Sequence, residues 1–218
     1  MHALVVREIA GPAGRLEVLW DLPAEAPRTV VVLAHPHPEH GGTMHTRMVY
    51  QAAKGFTRIG CAVLRFNFRG VGLSAGAFDA GAGEQDDFRA ALDAAAARFP
   101  TLPLWAAGAS FGAWIAATVG AEDPRVSLLV AIAPPVDGYD FDMLTASEKP
   151  KFLIHGEEDE LIPVRAVREL YAKIPEPKEL AVIDAASHLF EGCASEVGDA
   201  IEDLLADWGP RDALAESR

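Results

Sequence analysis

The sequence predicts an α/β fold, a doubly wound and mostly parallel sheet of about seven or eight strands with an antiparallel hairpin at its N-terminal edge. From residue 29 onward, strand-like and helix-like segments alternate regularly, which is the pattern of a parallel sheet covered by helices on both faces. Several strand-like segments are unbroken apolar runs, as expected where both faces of a strand are buried. No linker or low-complexity segment divides the 218 residues, so we expect one domain over 1–218 that ends in a frayed polar tail at 209–218.

The order of the elements follows from where the apolar runs and the turn residues fall. Two strands at 3–9 and 16–20 flank a turn that contains Gly11, Pro12 and Gly14, and they are predicted to pair as the edge hairpin. Further strands are predicted at 29–34, 61–68, 104–107, 127–133, 151–155 and 179–183. Helices are predicted at 46–59, 84–98, 113–119, 164–173 and 191–208, and an irregular segment at 134–149.

The composition and net charge of the chain restrict the kinds of molecule that it is expected to bind. The formal net charge of −13 repels nucleic acid and anionic lipid surfaces, so the expected partner is a small molecule. No apolar run reaches the roughly 18 residues of a membrane span, and Arg7 and Glu8 interrupt the only candidate core of a signal peptide. The two cysteines, Cys61 and Cys193, suit reduced thiols better than a disulfide framework. We therefore expect a cytoplasmic protein, whose oligomeric state the sequence leaves open.

Residues 103–120 contain a glycine-flanked serine between a short apolar run and a helix-like segment. Gly108 and Gly112 stand on either side of Ser110 in a G-x-S-x-G pattern. A serine in such a sharp strand-to-helix turn exposes its hydroxyl, and its neighbours must be small because the backbones approach closely there. The following helix directs its first amides to the same place, so the N–H of Phe111 is a candidate oxyanion donor. An ordinary turn around a serine is the alternative, and only residues elsewhere in the chain can distinguish the two interpretations.

The loop after the strand at 29–34 is rich in histidine and lies where a parallel sheet binds ligands, beyond the carboxyl ends of its strands. Because Pro36 and Pro38 have no N–H, His37 and Glu39 are the available donors, and we favour the N–H of His37 as the second oxyanion amide. A metal site is an alternative, although the prolines stiffen the loop and no cysteine accompanies it, and a purely structural loop is another. The candidate metal ligands are His35, His37, His40 and His45.

The loop after 61–68 is rich in glycine but is a weak cofactor signal. Its 69–74 segment lacks the third glycine of a dinucleotide-binding loop, and no helix opens directly behind it. Arg69 is expected to tie neighbouring loops together through ion pairs with Glu84 or Asp87. The acidic residues Glu84, Asp86 and Asp87 are otherwise typical of a helix N-terminus that its dipole stabilises.

Two further loops carry candidate catalytic side chains. Four carboxylates follow the strand at 151–155, and the residue types alone do not decide which of them would orient a histidine. They are Glu157, Glu158, Asp159 and Glu160. His188 lies between the last strand and the last helix, where it can reach Ser110 as a general base. The order of serine, acid and histidine along the chain is that of one known fold.

Together these motifs resemble those of the α/β-hydrolase superfamily, and in particular those of small, lidless bacterial hydrolases. The segments that carry the resemblance are 35–38 (HPHP) with Gly41 and Gly42, 65–72 (RFNFRGVG), 108–112 (GASFG), 155–159 (HGEED) and 187–190 (SHLF). In this family the triad acid follows H-G-x-x, which corresponds to Asp159. Ala109 and Leu189 replace the phenylalanines that are common at those positions, which alters no reacting group but leaves the shape of the pocket open.

The resemblance implies a serine hydrolase, most simply a carboxylesterase, that uses no metal and no cofactor. Ser110 would be the nucleophile, His188 the general base and Asp159 the acid that orients it, while the amides of Phe111 and His37 would hold the oxyanion.

The resemblance also bears on the substrate, because lids in this fold are commonly inserted where this chain has only 134–149. An open site for small to medium carboxyl esters is therefore expected. A modest apolar rim is a further hypothesis, formed by Phe141, Met143, Leu144 and Phe190. A serine peptidase or a thioesterase on the same fold is one alternative function, and a non-catalytic binding module is another.

Overall fold

A sheet with helices on both faces forms the frame of the protein in the computed structural model, which describes residues 7–208. Its strands are β1 (Arg7–Gly11), β2 (Gly14–Asp21), β3 (Thr29–Ala34), β4 (Cys61–Phe66), β5 (Leu104–Ala109), β6 (Val126–Ile132), β7 (Lys151–Gly156) and β8 (Lys178–Ile183). The helices are α1 (Arg47–Arg58), α2 (Ala82–Arg98), α3 (Phe111–Glu122), α4 (Asp142–Ala146), α5 (Val164–Lys173) and α6 (Ala194–Leu205). Short 3-10 turns lie at Pro38–His40 and Ala206–Trp208.

The sheet has the order β1-β2-β4-β3-β5-β6-β7-β8 within the described residues. The β1–β2 hairpin is antiparallel, β2 pairs antiparallel with β4, and every later pair is parallel. The predicted fold class is therefore confirmed, including the antiparallel hairpin at the edge. The predicted frayed tail at 209–218 and the first four residues of the strand predicted at 3–9 lie outside the described residues.

The strand β3 explains why an unbroken apolar run marks the centre of such a sheet. All six of its residues are buried. Val30, Val32 and Ala34 face the core formed with α2 and α3, whereas Val31 and Leu33 face the core formed with α1 and α6. Because successive side chains of a strand point to opposite faces, a strand with helices on both sides needs apolar residues at every position.

Several elements begin or end elsewhere than predicted, for local reasons. The helix α3 begins at Phe111, two residues earlier than expected, because the turn at Ser110 leads straight into it. The strand β4 ends at Phe66, since the N–H of Phe68 donates to the His35 imidazole instead of extending the strand. The segment expected to be irregular contains α4, whose five residues are too few to show a helical periodicity.

The parallel strands bring four loops to one edge of the sheet. The loops that carry His37, Ser110, Asp159 and His188 follow β3, β5, β7 and β8, whose carboxyl ends all lie on that edge. None of the helices in 7–208 has both the length and the apolar character needed to cross a membrane.

Candidate active site

The turn between β5 and α3 holds Ser110 in an unusual backbone conformation. Its φ is 51° and its ψ is −120°, a region that residues other than glycine rarely occupy. The N–H of Ser110 donates to the carbonyl of Ile132 on the neighbouring strand at 2.8 Å, and the Ser110 carbonyl accepts from the N–H of Ala113 in the first turn of α3. Strand and helix thus fix the turn from both sides, and this conformation directs the serine side chain away from the sheet.

The two glycines of the turn are required by its close backbone contacts. A Cβ at Gly108 would lie 2.0 Å from the carbonyl oxygen of Gly112, and one at Gly112 would lie 2.4 Å from the carbonyl oxygen of His35. Real Cβ atoms do not approach backbone atoms so closely, so neither position accepts a side chain without displacing the turn. The steric reason given for the G-x-S-x-G pattern is therefore confirmed.

Three side chains from three loops form a continuous chain of hydrogen bonds. The Ser110 Oγ lies 2.9 Å from Nε2 of His188, and Nδ1 of His188 lies 2.7 Å from Oδ2 of Asp159. An ionised carboxylate only accepts hydrogen bonds, so Nδ1 of His188 carries the proton and Nε2 is left to accept from the serine hydroxyl. The geometry thus has the arrangement of nucleophile, base and orienting acid.

The environment of Asp159 keeps its carboxylate ionised. Its Oδ1 accepts hydrogen bonds from the N–H groups of Leu161 and Ile162, at 2.9 and 2.8 Å. Burial alone raises the pKa of Asp159, but the hydrogen bonds from His188, Ile162 and Leu161 outweigh it, and the pKa lies below its ordinary value. A carboxylate that stays charged can stabilise a positive charge that forms on His188.

Burial separates Asp159 from the other carboxylates of its loop. The side chain of Asp159 is fully buried, whereas Glu157, Glu158 and Glu160 are exposed. Glu160 nevertheless contacts the site, because its Oε2 accepts a hydrogen bond of 3.1 Å from the backbone N–H of His188. The sequence reasoning missed this contact, and no local pattern marks it, since the two residues meet only where β7 and β8 end side by side.

A second histidine lies against the same carboxylate. His155, at the end of β7, is fully buried, and its Nε2 donates to the carbonyl of Ile162 at 2.9 Å while lying 3.4 Å from Oδ2 of Asp159. Burial lowers the pKa of His155, so the ring is neutral when the pH is near neutral. His155 thus helps to hold the loop in which Asp159 lies.

The backbone amides of His37 and Phe111 were predicted to hold an oxyanion, and within residues 7–208 neither of them donates a hydrogen bond. The amide of Phe111 is the first of α3, where no intrahelical partner exists. The two residues are close together, since their ring centroids are 4.9 Å apart. The structure thus brings the loop that follows β3 to the same place as the first turn of α3.

Of the four histidines in the 35–45 segment, His37 and His40 contact each other, with ring centroids 4.6 Å apart. His35 is fully buried, with Nδ1 donating to the carbonyl of Pro36 and Nε2 accepting from the N–H of Phe68, whereas His40 and His45 are exposed. In the part of the chain that the structure describes, no three histidine, cysteine, aspartate or glutamate side chains are grouped so as to hold a metal ion. His35 instead connects the oxyanion loop to the end of β4.

Acid is expected to destabilise the protein through His35. Burial lowers the pKa of His35 to about 4, below its ordinary value of 6.5. As the pH falls below 6.5 the unfolded chain binds a proton that the folded chain excludes, so the free energy of unfolding should fall by roughly 3 kcal/mol between pH 6.5 and pH 4. Urea unfolding at several pH values in that range measures the slope of the free energy of unfolding against pH.

The matched control is His35→Gln, which keeps an acceptor for the N–H of Phe68 but does not titrate. The free energy of unfolding of this variant should fall less steeply with decreasing pH than that of the original protein. His155, whose pKa is also lowered, contributes equally to the slope of both proteins. Equal slopes for the variant and the original protein would show that His35 is not the group responsible.

Arg69 joins the loop after β4 to the helix α2, through only one of the two predicted partners. Its guanidinium makes two hydrogen bonds to Asp87, at 3.0 and 2.8 Å, and its N–H makes a third. Glu84 instead caps the start of α2 by accepting from the N–H groups of Gly81 and Asp79. The expected ion pair with Asp87 is therefore confirmed, and Glu84 acts at the helix N-terminus.

The hypothesis of an apolar rim is wrong for three of its four residues. Phe141, Leu144 and Phe190 are 4%, 1% and 0% exposed, whereas Met143 is partly exposed and packs against the same core as Phe141 and Leu144. The side chain of Ala109 is also fully buried, in the core beneath α1 and α6, so the alanine repacks the interior and does not widen the site. Of the two departures from the common motif, only Leu189 is exposed.

Comparison with known protein families places the chain among serine hydrolases. Residues 25–146 match the family model described as serine aminopeptidase, S33. A protein of Rickettsia prowazekii (strain Madrid E), itself uncharacterized, is 35% identical over 204 residues, which cover 89% of this chain and 86% of the relative. A monoacylglycerol lipase of Mycolicibacterium smegmatis is 34% identical over 133 residues, which cover 58% of this chain but only 46% of the lipase.

Solved structures of the same size are similar over nearly the whole chain. An α/β serine hydrolase homologue from Coxiella burnetii is 37% identical with a TM-score of 0.88, and the match covers 94% of this chain and 99% of the other. An α/β serine hydrolase without a lid from Xanthomonas campestris is 34% identical with a TM-score of 0.88, over 95% and 96% of the two chains.

Proposed function

This chain belongs to the α/β-hydrolase superfamily, among its serine hydrolases, and from this premise we propose that it hydrolyses small to medium carboxyl esters through a triad of Ser110, His188 and Asp159. The observation that carries the proposal is the pair of hydrogen bonds that links Ser110 Oγ to His188 Nε2 at 2.9 Å and His188 Nδ1 to Asp159 Oδ2 at 2.7 Å. A serine hydroxyl bonded to an oriented, unprotonated imidazole nitrogen is an activated nucleophile.

The first half of the reaction forms an acyl-enzyme. Ser110 Oγ attacks the ester carbonyl carbon while its proton passes to Nε2 of His188, and Asp159 stabilises the imidazolium that results. The amides of Phe111 and His37 donate to the oxyanion that develops on the carbonyl oxygen. When the tetrahedral intermediate collapses, Nε2 of His188 returns the proton to the departing alcohol.

The second half of the reaction repeats these steps with water. His188 takes a proton from a water molecule as the water oxygen attacks the acyl carbon, and the oxyanion is held as before. Collapse of this intermediate releases the carboxylic acid and restores the Ser110 hydroxyl. The chemistry uses only side chains and amides of this protein.

The proposed size of the substrate rests on the short segment between β6 and β7. Its only helix is the five-residue α4, and both Phe141, just before this helix, and Leu144, within it, are buried, so the segment contains no inserted helical lid. A linear acyl chain longer than a few carbons would extend into solvent and gain little by burial. The monoacylglycerol lipase among the relatives supports ester cleavage as the reaction class.

For p-nitrophenyl esters, kcat/KM is expected to be highest at acyl chains of about two to four carbons and to decline with further length, because each extra methylene gains burial energy only where a wall covers it. Initial rates on the acetate, butyrate, octanoate and palmitate esters measure this dependence. A parallel panel of a thioester and an aminoacyl anilide tests the alternative reactions. Faster turnover of palmitate than of butyrate would contradict the proposed substrate size, and exclusive turnover of the anilide would favour a peptidase.

A further inference from the structure

An aromatic patch lies beside the proposed nucleophile. We give this name to Phe78, Phe111, Trp114 and Tyr139, of which Phe111 is buried at the centre and the other three are partly exposed. The ring centroid of Phe111 is 5.9 Å from that of Phe78 and 5.8 Å from those of Trp114 and Tyr139. The rings of Trp114 and Tyr139 are 4.6 Å apart. The four side chains therefore form one contiguous cluster.

Each member of the aromatic patch comes from a segment that leaves the carboxyl end of a strand. Phe78 follows β4, Phe111 and Trp114 lie in the first turns of α3 after β5, and Tyr139 follows β6. The patch thus lies on the edge of the sheet that also carries Ser110. Its central residue, Phe111, is next to Ser110 in the chain, so the surface borders the place where an ester carbonyl would be attacked.

Trp114 lies one helical turn after Ser110, because its N–H donates to the Ser110 carbonyl at 3.4 Å. Side chains of an α-helix lean towards its N-terminus, and Ser110 is the residue that directly precedes the first residue of α3. Trp114 therefore lies in the part of α3 that is nearest to Ser110.

The partly exposed rings are held in place before any substrate arrives. A Cβ at Gly81 would lie 2.4 Å from the Trp114 ring, which shows that the backbone of Gly81 packs directly against the indole. Trp114 also contacts Phe111 and Tyr139, at 5.8 and 4.6 Å between centroids, and Phe78 contacts His37 at 4.8 Å between centroids. Rings fixed in this way lose little conformational entropy when a ligand binds to them.

The chemistry of the surface favours one class of ligand. Aromatic pairs gain from offset-stacked and edge-to-face arrangements in addition to the burial of area, and a saturated group of the same size lacks this gain. The ring of Tyr139 is held by its contacts with Phe111 and Trp114, since its hydroxyl makes no hydrogen bond within the described residues.

We propose that the aromatic patch is a substrate subsite that binds an aryl ring carried by the acyl or the alcohol part of the ester, and that Trp114 and Tyr139 determine this specificity. The inference rests on the proposed function, because the patch selects only among esters that Ser110 cleaves. It narrows the substrate class from small esters in general to esters of arylalkanoic acids or of arylmethyl alcohols.

The test compares pairs of esters that differ only in the ring. The acyl pair is ethyl 3-phenylpropanoate and ethyl 3-cyclohexylpropanoate, and the alcohol pair is benzyl acetate and cyclohexylmethyl acetate. In at least one pair, kcat/KM for the phenyl compound should exceed that for the cyclohexyl compound by about 3- to 10-fold. Acid release measured with a pH indicator avoids an aromatic reporter group that would itself occupy the patch.

Matched variants assign the preference to individual rings. Trp114→Leu and Tyr139→Leu remove a ring, whereas Trp114→Phe and Tyr139→Phe keep one. The quantity compared is the ratio of kcat/KM for the phenyl ester to kcat/KM for the cyclohexyl ester, in which any general change in activity cancels. The ratio should fall to about one in the leucine variants and persist in the phenylalanine variants. Circular dichroism spectra establish that each variant is folded.

Three results of these experiments would each contradict a different part of the proposal. Equal rates on phenyl and cyclohexyl esters in the original protein would overturn the aryl subsite while leaving ester hydrolysis intact, and this result needs no variant. A phenyl preference that survives in both leucine variants would place the subsite elsewhere and overturn the role of Trp114 and Tyr139. Failure to cleave any ester, with a folded protein and an intact Ser110, would instead refute the proposed function, and the aryl subsite with it.

Discussion

Replacing Ser110 with alanine is expected to lower kcat for p-nitrophenyl acetate by on the order of 10^4-fold or more, while the protein stays folded. In the proposed mechanism the Oγ atom is the group that attacks the carbonyl, so its removal takes away the nucleophile. Among the described residues the Ser110 side chain hydrogen-bonds only to His188, so little of the structure depends on it. Steady-state rates, together with thermal unfolding followed by circular dichroism, test both parts of the prediction.

The His188→Ala variant provides the companion measurement. Without the base, the Ser110 hydroxyl keeps its proton, and the loss should be similar in size to that of Ser110→Ala. Because the two groups act as a unit, the double variant should be no slower than either single variant by more than a small factor. Near-normal turnover in either single variant, or additive losses in the double variant, would contradict a shared mechanism.

Replacing Asp159 with asparagine is expected to lower kcat by on the order of 10^4-fold, although the side chain keeps its shape. The Asn Oδ1 can still accept from the N–H groups of Leu161 and Ile162, so the loop should hold. The amide NH₂ would face Nδ1 of His188, which would then have to accept a hydrogen bond. The proton would move to Nε2, and His188 could no longer take the proton of Ser110.

The neighbouring carboxylate supplies the control for this variant. Glu158 lies beside Asp159 in the chain but is exposed, so Glu158→Gln removes one negative charge from the same loop without touching His188. Its kcat should stay within about twofold of the original value. Similar losses in both variants would mean that the net charge of the loop, and not the orientation of His188, controls the reaction.

Much of the fold was predictable because its signals are local. The strand β3 and the helix α5 have the bounds that were predicted, since an unbroken apolar run and an amphipathic segment bounded by Pro163 are visible without knowledge of the rest. The short helix α4 was not predicted because five residues carry no periodicity. The start of α3 was placed too late, because the strained turn at Ser110 leaves no separate capping residue to read.

The candidate site was predictable only in part from the residues themselves. Ser110 and His188 could be selected by the turn pattern and by position, but among four consecutive carboxylates only the resemblance to a family indicated Asp159. Burial gives the physical reason, since the Asp159 side chain is fully buried while its neighbours are exposed. Burial of this kind depends on how β7 and β8 end relative to each other, which the sequence of one loop does not state.

The surroundings of the site were the part that the sequence did not reveal. Phe141, Leu144 and Phe190 were expected to form the rim, yet they are core residues. The partly exposed rings are instead Phe78, Trp114 and Tyr139, which come from three separate segments of the chain. Apolar side chains look alike in sequence whether they face the core or a substrate, and only packing against Phe111 and Gly81 distinguishes them.

Labelling with a fluorophosphonate tests the central claim most directly, because the reagent reacts with a serine only when a base has activated it. Peptide mass spectrometry of the treated protein should find one phosphonate adduct, on Ser110, and Ser110→Ala, His188→Ala and heat-denatured protein should carry none. A folded protein that remains unlabelled after prolonged exposure, or one that is labelled at another serine, would contradict the account.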